Sequence, residues 1–367
     1  MATVGDTGAP STNTIYYDAL LTTTLDAWVG GGSLFDQIFK DSAFLSLLRL
    51  SDAVIRQNGG ERIRVPLLYG KNETIKSYSG YETLDTTPQE GLTTAFYEWR
   101  EIGGTISISR KEERQNSGEA AKIALLGSKI EQAKMSMTEE LSSQIVLGTV
   151  NSSTFVPGND SKDMNPLGYF LRKKTATDPV AGGNVGNIAS SNSWWRAKSA
   201  AFGGSSEAGG VAVPTVTTYK GIVVALRRLY NYCSQGSGGS PNIFLFDQIS
   251  YETYENALDE KVRYSNTKLA DMGFDNIKLR GATCIWDEIV PDVENGTAAV
   301  TLGTVFALNT KFFKLVIDSE TDVVTTPFVT PENQTAKTAK ILFMGNTVCS
   351  NLRKQGVGYE ILGTIVT

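Results

Sequence analysis

Apolar and polar positions alternate along several stretches of the 367-residue chain and recur at helical spacing along others. In ERIRVPL, Ile63, Val65 and Leu67 alternate with Arg62, Arg64 and Pro66, which predicts a strand with one apolar face. Pro66 has no amide hydrogen to give to a ladder and favours an edge position. From residue 69 to 91 the sequence turns polar without a sustained period, and strand character returns at TTAFYEWREIGGTISIS. Two strands around such an excursion predict an extended hairpin projecting from the body. A long helix follows, for which Asn116 or Ser117 is a cap and Glu119 suits the positive end. Ile123, Leu126, Ile130, Ala133, Met137, Leu141 and Ile145 then recur at steps of three or four before Gly148. At the usual rise per residue this is a rod of about 45 Å, packed along a single stripe.

Residues 151–218 are rich in Gly, Ser, Asn and Pro, with an isolated SNSWWRAK whose Trp194 and Trp195 are expected to anchor the segment to a core. Beyond them the pattern is α/β-like. A helix carries Ile222, Leu226, Leu229 and Cys233 on one face, the apolar strand NIFLF follows, and a second helix presents Tyr251, Tyr254 and Leu258. In NIKLRGATCIWDE, alternation through Ile277 and Leu279 slips at Gly281 and resumes at Ala282, Cys284 and Trp286. A glycine at a phase slip predicts a strand bent at Gly281, with Trp286 buried and Asp287-Glu288 in a polar turn. Strands dominate from residue 306 onward, including KFFKLVID and AKILFMG. The class is therefore α+β.

Composition removes more chemistry than it adds. Hydrophobic content of 41% and charged content of 20% describe a folded chain, and its length predicts two domains or one elaborated domain. No apolar run is long enough to cross a bilayer, and the first residues lack the basic region and apolar core of a signal peptide. A net charge of −5, without a block of basic residues interleaved with aromatics, speaks against a reader of nucleic-acid sequence. The three cysteines are dispersed, which disfavours a disulfide framework or zinc cluster and predicts buried reduced thiols. With no histidine, the Ser-His and Cys-His nucleophile systems, the commonest metal ligand and the usual general base are all missing. QGSGGSP and AGGNVGN match no phosphate-cradling pattern and read as flexible loops. The carboxylate pairs Glu112-Glu113, Glu139-Glu140 and Asp287-Glu288 are sequence neighbours, whose side chains diverge. A two-carboxylate hydrolase needs its acids facing one another across a cleft, so solvated or turn roles are expected for these pairs. No catalytic residue, cofactor or metal is expected.

The order of these elements resembles the major capsid protein of tailed bacteriophages, with the Hong Kong 97-type fold. SNSWWRAK, LRRLYNYC, PNIFLFDQISYETYENAL, GFDNIKLRGATCIWDE, FALNTKFFKL and MGNTVCSNLRKQGVGYEIL are similar to successive blocks of one branch of that family, in order and over nearly the whole chain. The resemblance implies an N-terminal arm and first helix at residues 1–50 and an extended hairpin loop at 51–105. It implies a peripheral domain with a spine helix at 106–150 and an α/β axial domain at 151–310. Residues 311–367 would be peripheral strands returning to the axial domain. Tyr69, Lys71, Lys76, Tyr78, Tyr81 and Leu84 of the loop are then expected on a neighbouring subunit, and Ile123, Leu126, Ile130, Met137, Leu141 and Ile145 along the packed face of the spine. The implied partners are copies of the chain itself, in hexamers and pentamers of an icosahedral or prolate shell. A scaffolding protein, a portal and a decoration protein are implied as well, around double-stranded DNA that is enclosed without being read. The implied place is the virion, assembled in the host cytoplasm and without membrane. Some members of the family weld subunits by a Lys–Asn isopeptide bond; Lys71 or Lys76 with Asn346 or Asn351 would be the partners here, and no such bond is expected. The alternatives are an encapsulin-like nanocompartment shell and, more remotely, a histidine-free carboxylate hydrolase.

Overall fold

The computed structural model describes residues 43–115, 125–146, 162–171, 184–189, 192–203, 213, 216, 218–258, 277–290, 303–332, 334–359 and 361, without the side chains of residues 115, 125 and 126. The arm before residue 43, Asn116, Ser117, Glu119, Ile123, Gly148 and the side chain of Leu126 lie outside the described residues. In chain order the elements are α1 (Ala43–Leu50), β1 (Val54–Gln57), β2 (Ile63–Leu68), β3 (Leu92–Tyr97), β4 (Arg100–Ser109), α2 (Arg110–Gln115), α3 (Leu125–Val146) and α4 (Leu167–Phe170). They continue with β5 (Lys198–Ala201), α5 (Tyr219–Ser234), β6 (Ile243–Phe246), α6 (Gln248–Leu258), β7 (Ile277–Leu279), β8 (Ala282–Trp286) and β9 (Thr304–Leu308). The last are β10 (Phe313–Asp318), β11 (Val324–Thr325), β12 (Ala336–Cys349) and β13 (Gly356–Tyr359). The chain divides into two compact units: Lys40–Ile102, Glu139–Asp322 and Phe343–Thr367 form the larger, and Gly103–Thr138 and Val323–Leu342 belong to the smaller.

In the larger unit a six-stranded mixed sheet runs β5-β13-β9-β6-β8-β7. Its central strand β6 pairs parallel with β8 and antiparallel with β9, and all four of its residues are buried. A strand covered on both faces needs apolar residues at every position, which is why NIFLF does not alternate. Helices α5 and α6 lie on one face, where Ile222, Leu226, Leu229, Cys233, Tyr251 and Tyr254 meet Phe244, Phe246, Cys284 and Val305 in one apolar cluster. The Phe246 and Tyr254 rings stack there at 5.7 Å. Buried Asp247 caps α6, accepting from Ser250 N at 3.1 Å and, through its other oxygen, from Thr304 N at 2.9 Å. One carboxylate so joins the helix start to β9. In the same unit β1 pairs parallel with β10, and β10 pairs antiparallel with the second half of β12.

The smaller unit holds most of β4, α2, the first part of α3, β11 and the start of β12. Here Ser109 and Glu112 form a capping box: Ser109 N donates to Glu112 Oε2 at 3.1 Å and Glu112 N to Ser109 Oγ at 3.3 Å. Lys129 of α3 donates to the same carboxylate at 2.9 Å and to the Ser107 carbonyl at 3.1 Å. Glu112 is therefore buried and paired, which corrects the solvated role expected for it; its neighbour Glu113 stays at the surface and pairs with Lys337 at 2.7 Å. Along α3, Met137, Leu141 and Ile145 are buried, while Ile130 and Ala133 are half-buried.

The bend expected at Gly281 is a chain reversal. β7 and β8 pair antiparallel with Leu279 opposite Ala282, leaving Arg280 (φ 50°) and Gly281 (φ 89°) as a two-residue turn. Positive φ at both central positions is what a tight hairpin requires, and glycine takes it without strain. Trp286 is not buried: it ends β8 and is 39% exposed. Thr283 and Ile285 are buried beside Ala282 and Cys284, so β8 is covered on both faces and alternation there does not separate inside from outside. Asp287 does sit in a turn, but as a buried carboxylate, accepting from Phe44 N at 3.2 Å and Ile289 N at 3.1 Å. The three cysteines are free and buried, and burial pushes the thiols of Cys233 and Cys349 up to about 12.

Candidate assembly surface

β2 and β3 pair antiparallel over their whole length, from Ile63 opposite Tyr97 to Leu68 opposite Leu92, and Tyr69 N continues the ladder to the Gly91 carbonyl at 2.9 Å. At this root the two strands run so close that a Cβ on Gly70 would stand 3.1 Å from the Gly91 Cα, a tight contact that glycine avoids. Between these points the chain forms no strand or helix. Its ordering is local: the side chain of Asn72 accepts from Thr74 N at 2.9 Å, that of Asp85 from Thr87 N at 3.0 Å, and the Ser79 carbonyl from Glu82 N at 2.8 Å. Such short turns shape an excursion without tying it to a core.

The apolar groups of the excursion face water. Ile75, Tyr78, Tyr81 and Leu84 are exposed, Tyr81 completely, and Leu68 and Leu92 at the root are 78% exposed each. Lys71 and Lys76 are exposed as well. Tyr69 has a role within the chain as well. Its ring stacks on Trp194 of the same chain at 5.0 Å and 22°, so it also holds the root, while 40% of it stays exposed. Trp195 is buried, with its indole N–H donated to the Val185 carbonyl at 2.9 Å. The adjacent tryptophans thus divide the work between core and loop root, a division that spacing cannot reveal.

Two polar features escaped the sequence reading. Asn346 is fully buried: its Oδ1 accepts from Asn165 N at 3.0 Å and Thr347 N at 2.8 Å, and its Nδ2 donates to the Glu98 carbonyl at 2.7 Å. Lys354, also buried, donates to the carbonyls of Ser234, Gln235, Gly236 and Gly239 at 3.2, 3.0, 3.0 and 3.1 Å. The QGSGGSP segment is consequently wrapped around an ammonium, which corrects its reading as a flexible loop.

Among the described residues no group of three or more acidic or cysteine side chains is placed to hold a metal ion, and no helix is long and apolar enough to cross a membrane. A surface cleft of about 570 Å³ in the smaller unit is lined by Arg110, Glu113, Arg114, Thr330, Gln334, Thr335, Ala336 and Lys337. It offers one carboxylate, and the hydrogen bond from Lys337 holds Glu113 below the usual carboxylate range. A pair of opposed acids is not built there.

No protein-family model matches the sequence, and no curated protein does. Solved structures match along almost the whole chain. The cyanophage A-1(L) capsid asymmetric unit is 14% identical with a TM-score of 0.64, covering 92% of this chain and 97% of that one. The capsid of a native GTA particle is 9% identical with a TM-score of 0.54, covering 91% and 94%, and Mycobacterium phage Ogopogo is 9% identical with a TM-score of 0.50, covering 96% and 99%. At these identities what is shared is the fold, over 91–96% of the chain: the α+β fold of phage capsid proteins that the order of elements led us to expect.

Proposed function

We propose that the chain is the major capsid protein of a tailed bacteriophage, building the shell around packaged double-stranded DNA from hexamers and pentamers of itself. The observation that carries this reading is the excursion at residues 69–91. On a chain with a well-packed core, a long segment exposes tyrosines, a leucine and an isoleucine along its length and has only local turns to shape it. A lone subunit gains nothing from that arrangement; a subunit that lays the segment over a copy of itself buries those rings while each tyrosine hydroxyl keeps a hydrogen-bond partner. The fold common to capsid structures supplies the context. On this reading Lys71, Lys76, Tyr78, Tyr81 and Leu84 contact the neighbouring subunit, the α3 stripe is the spine, and the chain has no catalytic role. The net charge of −5 keeps the wall from gluing to phosphate, so the DNA is contained and not read. A scaffolding protein, a portal and a decoration protein complete the partners.

The test is electron microscopy with sedimentation of the purified chain, alone and with the scaffolding protein of its own virus. Rings, capsomers or closed shells are expected. A monomer that persists at high concentration with scaffold supplied overturns the reading. Native particles that carry enzyme cargo and no DNA would replace it with a nanocompartment shell.

A further inference from the structure

The two helices that cover the six-stranded sheet turn opposite charges to solvent. Helix α5, YKGIVVALRRLYNYCS, contains no acidic residue. Its exposed positions are Lys220, Val224, Arg227, Arg228 and Asn231, which fall within about 100° of helical arc. Arg280 in the β7–β8 turn adds a fourth cation: its guanidinium donates to the Asn231 side chain and lies 5.9 Å from the centre of the Tyr230 ring. Helix α6, QISYETYENAL, contains no basic residue. Toward solvent it presents Gln248, Ile249, Glu252 and Asn256, with Glu255 half-buried at the margin. Each stripe has one apolar residue among its polar ones, Val224 at 49% exposure and Ile249 at 39%.

On the premise that the chain forms shells, we infer that the cationic face of α5 on one copy docks on the acidic face of α6 on the next, with Val224 and Ile249 at the centre of the contact. Charge decides which faces meet. Pairing α5 with α5 brings three cations on each side together, and pairing α6 with α6 brings carboxylates together; both cost energy that only the unlike pairing returns. Both helices spend their apolar faces on the same sheet, which leaves the charged stripes turned to solvent, where Arg280 bonds Asn231 and Gln248 bonds Glu252. Every copy offers one face of each kind, so the contact either doubles up in a reciprocal dimer or runs head-to-tail; in a shell it runs head-to-tail, and such a contact closes into a ring when its rotation allows. The apolar centre gives the contact its dry patch, while the charged margin sets partner choice and register.

The test reverses charge on one face and then on both. Lys220→Glu with Arg227→Glu is expected to leave the subunit folded, with a thermal midpoint near that of the unaltered chain, and to lower ring and shell yield about tenfold or more. Glu252→Arg with Glu255→Arg is expected to do the same. A chain carrying all four substitutions again has unlike faces and should recover assembly. Assembly of the unaltered chain should weaken as salt rises to roughly 0.5 M, where exposed charges are screened beyond a few ångströms. If a reversed chain misfolds, Lys220→Gln with Arg227→Gln replaces it, and flattening of the salt dependence becomes the readout. An unaltered chain that never assembles defeats the shell premise. Unaltered and reversed chains that assemble alike defeat the helix pairing alone, and so does an unaltered assembly that stops at a reciprocal dimer.

Discussion

Lys354 shows how one side chain can organise a segment distant in sequence. Helix α5 ends at Ser234, where its last carbonyls have no partner in the helix and carry the negative end of its dipole. An ammonium arriving from the turn at Leu352–Lys354 satisfies those carbonyls and closes the glycine-rich loop around itself. Burial lowers its pKa below the ordinary lysine value, and the ring of carbonyls replaces the water it has lost. Lys354→Met keeps the stem and removes the donor, so the isolated subunit should lose about 2–3 kcal/mol of stability, the scale of buried acceptors left unpaired. Urea unfolding of the unassembled chain measures it, and a loss within error of zero would show that the loop holds itself. The sequence does not announce this role. NLRKQG reads as a surface turn, and the partners lie more than a hundred residues away. Trp286 fails for a related reason, since burial at a strand end depends on what other segments place over it.

At the scale of elements the sequence is more legible, because periodicity is a local property that packing rewards. Ile63 and Leu67 do face inward on β2, and Met137, Leu141 and Ile145 are buried on α3. The Arg280-Gly281 turn was misread because a phase slip looks the same for a bulge and for a two-residue reversal; only pairing distinguishes them. The excursion between β2 and β3 yields the prediction that belongs here. Replacing residues 71–89 by a tight turn should leave the subunit folded, with its thermal midpoint changed by no more than a few degrees. The core of the larger unit draws nothing from the removed apolar groups, and the Tyr69–Trp194 stack stays at the root. Assembly should weaken or fail, because the removed segment carries Tyr78, Tyr81 and Leu84. Particle yield and thermal unfolding are compared for the two chains. Normal assembly of the shortened chain, or its failure to fold, would remove the excursion from the contact surface.

For the whole molecule, what is shared with the capsid structures is the arrangement of elements, not their residues. At 14% identity the cyanophage capsid subunit still overlays 92% of the chain, and the order of hairpin, long helix and α/β sheet carried that likeness where sequence matching found nothing. A shell assembled from such subunits is held by many weak contacts or by covalent welds, and the interior of this subunit bears on which. A Lys–Asn isopeptide bond forms when a lysine amine attacks the side-chain carboxamide and ammonia leaves. Asn346 is closed to that attack: it is fully buried, and both ends of its carboxamide are already hydrogen-bonded to the backbone of its own chain. Opening it would break those bonds and bury a neighbour's lysine stem in the C-terminal half of β12. Asn351 is only half-buried, but no carboxylate within two residues of it in NTVCSNLRK is present to take the proton that a lysine must lose to attack as an amine. Mature particles boiled in denaturant and reductant should therefore run as one band near 39.7 kDa, and Lys71→Ala with Lys76→Ala should leave that pattern unchanged. A ladder of dimers, trimers and higher species from the unaltered particles, absent from the lysine variants, would show that a weld forms after all, with the excursion as its donor.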